Sequence, residues 1–290
     1  MKQTLQLIAV LITLTLASCQ TRNRQNADEP RTLVVTIEPL RYFTEQIAGE
    51  QFKVVSIVPE GSSPETYDPT PRQLLDIAKS EAWLKIGYIG FEQTWTDKLT
   101  ANAPQMKVFD TSEGIELIRD THHHEGHVHV GGVEPHTWTS PANARIIARN
   151  ICNALCRIDS ANTNYYTERL GRMDSLICRT DSTLRAMLAQ NADKAFLIYH
   201  PSLSYYARDY GMEQLCLEEN GREPSPAHMR KIIEQCRQKG IRTIFIQKEF
   251  DSRNATLAAQ ETGTKLVLIN PLAYEWEQEL INITKNLVHE

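Results

Sequence analysis

Arg31-Thr-Leu-Val-Val-Thr-Ile37 and Phe52-Lys-Val-Val-Ser-Ile-Val58 bracket residues 43–49, whose side chains recur in helical rhythm. Two short β-branched runs around a helix read as strand, helix, strand, the opening of an α/β unit. The second run stops at Pro59-Glu-Gly-Ser-Ser-Pro64, a turn-rich loop. It lies at the carboxyl end of a strand, the edge at which parallel sheets bind ligands.

The alternation continues outward. Pro71 sits in the first turn of a helix expected to reach about residue 80, with Leu74, Leu75, Ile77 and Ala78 as its apolar face. Residues 83–86 and 107–109 read as strands, and Ser140-Pro141 starts a helix to about residue 157. From 162 to 190, Tyr166, Leu170, Met173, Ile177, Leu184 and Leu188 fall on one helical stripe. That segment is either one long strut or two helices broken near Asp181-Ser182. Strands are then expected at 195–199, 214–217, 243–246 and 265–269, with helices at 202–209, 226–239, 253–261 and 275–288. The expected class is α/β, with two lobes that each hold a mainly parallel sheet and face each other across a cleft. The boundaries are an N-terminal lobe at 31–160 that carries a histidine-rich loop at 119–132, a linking helix at 161–190 and a C-terminal lobe at 191–290.

Ahead of the first strand, an apolar run too short to span a bilayer ends in Leu16-Ala17-Ser18-Cys19. This resembles the lipobox of bacterial lipoproteins, which implies a signal peptide at 1–18, lipidation of Cys19 and a polar tether at 19–30. The net charge of the 290-residue chain is −5 and no basic patch stands out, so nucleic acid is not an expected partner. Cys152, Cys156, Cys178, Cys216 and Cys236 form no C-x-x-C pair. Cys152 and Cys156, one helical turn apart, are buried apolar residues or a bridge.

Thr121-His-His-His-Glu-Gly-His-Val-His-Val130 concentrates imidazoles, donors that suit late first-row divalent metals and Zn²⁺ foremost. Outside it, metal-type side chains stand where a cleft would be. Glu65 is in the loop after the second strand, and His136 lies between the histidine-rich loop and a helix start. His200, Glu249 and Asn270 follow strands of the second lobe. Each has a plainer reading: Glu65 as a helix cap, His200-Pro201 as a strand end. Placed together, they suggest one site assembled from both lobes, since Zn²⁺ accepts two imidazoles, a carboxylate and a fourth donor.

The segments around these residues carry a resemblance. Pro59-Glu-Gly-Ser-Ser-Pro-Glu65-Thr-Tyr-Asp-Pro-Thr-Pro71, Glu134-Pro-His136-Thr-Trp138 and Tyr199-His200-Pro-Ser-Leu-Ser-Tyr-Tyr-Ala-Arg-Asp-Tyr-Gly211 are similar to motifs of the zinc-uptake substrate-binding proteins of bacterial ABC transporters. Gln247-Lys-Glu249-Phe, Glu261-Thr-Gly263 and Asn270-Pro271-Leu272 extend the likeness. The resemblance implies two lobes joined by a long rigid helix, with one divalent ion between them. It carries the ligand role to His136 and His200, and to Glu65 where the family usually has histidine. The fourth position, commonly aspartate, is here Asn270, with Glu249 as the alternative donor or as a hydrogen-bond partner to an imidazole. Manganese-type relatives tend to carry a carboxylate at the third position, so His200 favours zinc.

The expected function follows. No H-E-x-x-H helix is present, the chain looks lipid-tethered, and it holds more histidines than a single-site enzyme needs. We expect a monomeric, non-enzymatic protein of the periplasm, anchored to the cell membrane, that captures Zn²⁺ and delivers it to an ABC permease with its ATPase. His122, His123, His124, His127 and His129 are expected to serve as an auxiliary metal loop. Mn²⁺ is the second choice of cargo, and an adhesive or structural lipoprotein or a metallohydrolase are the alternative functions.

Overall fold

A computed structural model describes residues 31–119, 132–219 and 221–289. Cys19, the signal and tether segments and the histidines from 122 to 129 lie outside the described residues.

The first lobe holds β1 (Thr32–Val35), α1 (Glu38–Ala48), β2 (Lys53–Ser56), α2 (Pro71–Ile77), β3 (Ala82–Lys85), α3 (Gly90–Asn102), β4 (Lys107–Asp110) and α4 (Pro141–Ile158). Next comes α5 (Thr163–Leu188). The second lobe is β5 (Ala195–Ile198), α6 (Ser204–Tyr210), β6 (Glu213–Cys216), α7 (Pro226–Lys239), β7 (Thr243–Gln247), α8 (Arg253–Thr262), β8 (Lys265–Ile269) and α9 (Trp276–Lys285). The strand orders are β2-β1-β3-β4 and β6-β5-β7-β8, and all pairings are parallel. In each sheet the chain reverses direction beside its first strand, between β1 and β3 and between β5 and β7. Such a switch opens a crevice at the carboxyl ends of the strands.

Burial explains the strand sequences. Leu33, Val34 and Val35 of β1 and all four residues of β5 are buried, as central strands covered on both faces must be. Phe196, Ile198 and Phe245 face the main core, whereas Leu197, Ile244 and Ile246 face a second cluster built with Met229, Ile232 and Ala258. The main core runs on through Leu33, Trp83, Ile151 and Tyr166, so one apolar body unites both lobes.

α5 is a single helix of 26 residues, about 39 Å long at 1.5 Å per residue. There is no break at Asp181-Ser182. Ser182 Oγ donates to the Cys178 carbonyl and Asp181 accepts from both Arg185 and Tyr210, all compatible with continuous helix. Tyr166, Met173, Ile177, Thr180 and Leu184 form its buried stripe, and it packs against α4, α1 and α9. The helix α3 was not expected. Its cap is Ile89 rather than a polar residue, and its buried positions are only Phe91, Glu92 and Leu99, so the sequence carries little helical signal.

All five described cysteines are free thiols, with Cys152 and Cys236 buried as packing residues. Among the described residues no helix is long and apolar enough to cross a membrane.

Candidate metal site

The loops at the carboxyl edges of both sheets meet over one pocket lined by Ser63, Pro64, Glu65, His136, His200, Ser202, Gln247, Glu249, Phe250, Pro271 and Leu272. Glu65 comes from the β2–α2 loop, His136 from the β4–α4 connection, His200 from the end of β5 and Glu249 from the end of β7. The rings of His136 and His200 approach edge to face, with centroids 5.1 Å apart. Asn270 is not among the lining residues. It borders a separate depression with Glu60, Lys248 and Tyr274, and its backbone N–H donates to Glu279 at 2.7 Å.

Two carboxylates that sequence reasoning did not assign orient the two imidazoles. His136 Nδ1–H donates to Glu134, and His200 Nδ1–H donates to Glu218 at 2.6 Å. A ring held this way turns Nε2 outward as the available electron pair. Glu134 is buried and reaches across the lobes, accepting from Ser204 Oγ at 3.0 Å, while Tyr205 OH donates to its carbonyl at 2.9 Å. The only sequence signals for these residues were the spacing Glu134-Pro-His136 and the position of Glu218 just beyond β6.

Glu65 is set by the N-terminus of α3. Gly90 N–H donates to Glu65 Oε2 at 3.1 Å and Phe91 N–H to the Pro64 carbonyl at 3.0 Å. Position 90 has no room for a side chain, since a Cβ there would fall 2.5 Å from the Glu65 carbonyl oxygen. The turn before α3 is held in its own right by the fully buried Glu92, which accepts from Thr36 Oγ1 at 2.5 Å, Ile86 N–H at 2.8 Å and Gly87 N–H at 2.5 Å. Burial pushes the Glu92 carboxyl up to about 7, with those hydrogen bonds pulling the other way.

The electrostatics are unbalanced. Glu65 Oε1 and Glu249 Oε1 are two of only three buried side-chain polar atoms without a partner among the described residues. An orphaned carboxylate oxygen is costly to bury, and two on one pocket mark a place where positive charge is missing. Burial raises the Glu249 carboxyl above its ordinary range. For His136, burial favours the neutral ring, but the charge and hydrogen bond of Glu134, with Glu65 and Glu218 behind, outweigh it and raise the pKa. Among the described residues no three His, Cys, Asp or Glu side chains are already drawn together to ligating distance. The four groups line one pocket, and side-chain adjustment is needed to close on an ion.

Beside and behind the pocket the lobes are fastened by buried groups. Trp138 Nε1–H donates to the Pro271 carbonyl at 2.8 Å, and Trp276 Nε1–H donates to the Trp138 carbonyl at 2.7 Å. Tyr274 OH donates to Glu45 at 2.6 Å.

Two parallel-sheet lobes meeting over one small pocket that carries two imidazoles and two carboxylates fit the class of metal ABC transporter substrate-binding proteins. The chain belongs to the family described as zinc-uptake complex component A periplasmic, whose model matches residues 33–288. It is 25% identical to the high-affinity zinc uptake system protein ZnuA of Bacillus subtilis, over 83% of this chain and 78% of that one. It is equally 25% identical to the manganese ABC transporter substrate-binding lipoprotein PsaA of Streptococcus pneumoniae, over 93% and 90%. A crystal structure of ZnuA superposes with a TM-score of 0.82 at 30% identity, covering 89% of this chain and 97% of that one. Proteins of this class work with a permease and an ATPase.

Proposed function

We propose that this protein captures Zn²⁺ as cargo and hands it to an ABC permease, with Glu65, His136, His200 and Glu249 as donors. The observation that carries the reading is the pair of orphaned carboxylate oxygens on a pocket shared with two imidazoles whose Nδ1 atoms are already engaged. Two imidazoles and two carboxylates neutralise a divalent ion and supply the four donors that zinc accepts. Cargo rather than catalysis is supported by size. The space open to the centre of a water molecule is about 30 Å³, enough for an ion and one water and too little for an organic substrate. Attachment through a lipid on Cys19, outside the cytoplasm, and action as a monomer complete the proposal.

The donor set equally suits manganese, which keeps that cargo as a second reading. A competition titration with zinc and manganese at controlled free concentrations decides between them. Zinc is expected to win, and a manganese preference overturns the assignment.

Glu249 and Asn270 make different predictions. Glu249→Gln is expected to weaken zinc binding roughly 10- to 100-fold, as the loss of a charged donor should. Asn270→Ala is expected to leave affinity within about twofold, because Asn270 does not line the pocket. Isothermal titration of both variants checks this, and the reverse ranking returns the fourth position to Asn270.

Proton competition follows from the raised pKa of His136. The free site holds a proton to higher pH than an ordinary imidazole, and zinc must displace it. Apparent affinity is therefore expected to begin falling above the ordinary imidazole value of about 6.5 and to continue below it, by about tenfold per unit for each proton displaced. Calorimetry in buffers of different ionisation enthalpy is expected to show proton release at neutral pH. A flat affinity profile between pH 8 and 6 contradicts imidazole ligation.

A further inference from the structure

We propose that Phe250 is a specificity-determining residue, a wall that holds the bound ion to four protein donors by keeping out the water a six-coordinate ion needs. The inference rests on the donor set proposed above and deepens it. Donor chemistry alone does not separate zinc from manganese here, so the separation has to come from the rest of the pocket surface.

Most of that surface is apolar, with Ser63, Ser202 and Gln247 as its polar members. Pro64, Phe250, Pro271 and Leu272 line the pocket beside the four donor side chains. The Phe250 ring lies on the His200 imidazole, with centroids 5.1 Å apart and planes 20° apart, and leans on Tyr199 at the same separation. Its backbone is fixed as well. Phe250 N–H donates to the Gln247 carbonyl at 3.2 Å. Buried Gln247 in turn donates from Nε2 to the His200 carbonyl at 2.6 Å and to Ser202 Oγ at 2.8 Å. The ring is thus keyed to the segment that carries His200. It is half-buried, so it stands between the pocket and the surface.

The consequence is a limit on coordination number. Zinc has no geometric preference from its d electrons and is satisfied by four donors. Ions that favour octahedral oxygen surroundings need two further oxygens, normally waters. With about 30 Å³ open to water centres and hydrocarbon on the remaining side, those oxygens have little room. Removing the ring opens that side while deleting no donor and leaving the Glu218 hydrogen bond that orients His200.

The test uses the full chain with Zn²⁺, Mn²⁺ and Co²⁺ as probes. Wild type loaded with Co²⁺ is expected to show the intense visible bands of a four-coordinate ion. Phe250→Ala is expected to show the weak bands of a higher-coordinate ion, to keep zinc affinity within tenfold and to tighten manganese binding at least tenfold. Phe250→Asn, at the same half-exposed turn, is expected to shift the same way and provides an independent variant if the alanine protein melts early. Phe250→Leu retains an apolar cover and is expected to keep both spectrum and selectivity. If Phe250→Ala and Phe250→Asn fold but leave the cobalt spectrum and the zinc-to-manganese ratio unchanged, the role of Phe250 is overturned while the zinc reading stands. A wild-type protein that is six-coordinate with cobalt or prefers manganese overturns both.

Discussion

Replacing His200 by alanine is expected to weaken zinc binding at least about a hundredfold, roughly 2.7 kcal/mol, with the apo fold retained. His200 lines the pocket, and its ring orientation is set by Glu218 and by the Phe250 stack. Its removal deletes one of four proposed donors and leaves Glu218, a nearly buried carboxylate, without its imidazole partner. Competition against a fluorescent chelator measures the affinity, and circular dichroism reports the fold. Unchanged affinity in a folded variant removes His200 from the site.

The second large effect concerns the lobe junction. Trp138→Ala is expected to destabilise the protein by about 3–5 kcal/mol, the usual range for deleting a buried indole. Trp138 is 1% exposed, and its Nε1–H is the hydrogen bond to the Pro271 carbonyl across the junction. Trp138→Phe keeps most of the volume and removes only the donor, so a smaller loss of about 1–3 kcal/mol is expected from the orphaned carbonyl. Urea unfolding of the apo protein measures both. Equal losses for the two variants would assign the stability to the hydrogen bond rather than to packing.

The repeating order of strands and helices was legible because buried parallel strands are β-branched runs and their covering helices carry an apolar stripe. The long helix was legible from Tyr166, Met173, Ile177 and Leu184, all buried, and from Leu170 and Leu188, half-buried on the same stripe. α3 was hidden by its apolar cap residue, since Ile89 offers no polar start signal and the turn is held instead by the Glu92 carboxylate. Around the pocket, strand-end position singled out Glu65, His200 and Glu249, because loops at the carboxyl edges of both sheets converge there. The same rule drew attention to Asn270, but only the next two residues, Pro271 and Leu272, reach the pocket, while Asn270 itself borders another depression with its N–H on Glu279. Glu134 and Glu218 escaped notice because their role depends on which imidazole lies beside them in space, which chain order does not encode.

The tightness of the pocket also bears on how cargo leaves. An ion enclosed by the proposed donors and the Phe250 wall offers an incoming competitor little place to attach while the original donors are still bound. On the proposed donor set, unloading therefore begins with one protein group letting go. The segment best suited to do so is the turn after β7, where Glu249 and Phe250 are only half-buried and Lys248 reaches an exposed partner, Glu60, on the other lobe. Retention time would then be a property of that turn, open to adjustment by whatever surface docks against it and indifferent to the strength of scavengers in the surrounding solution.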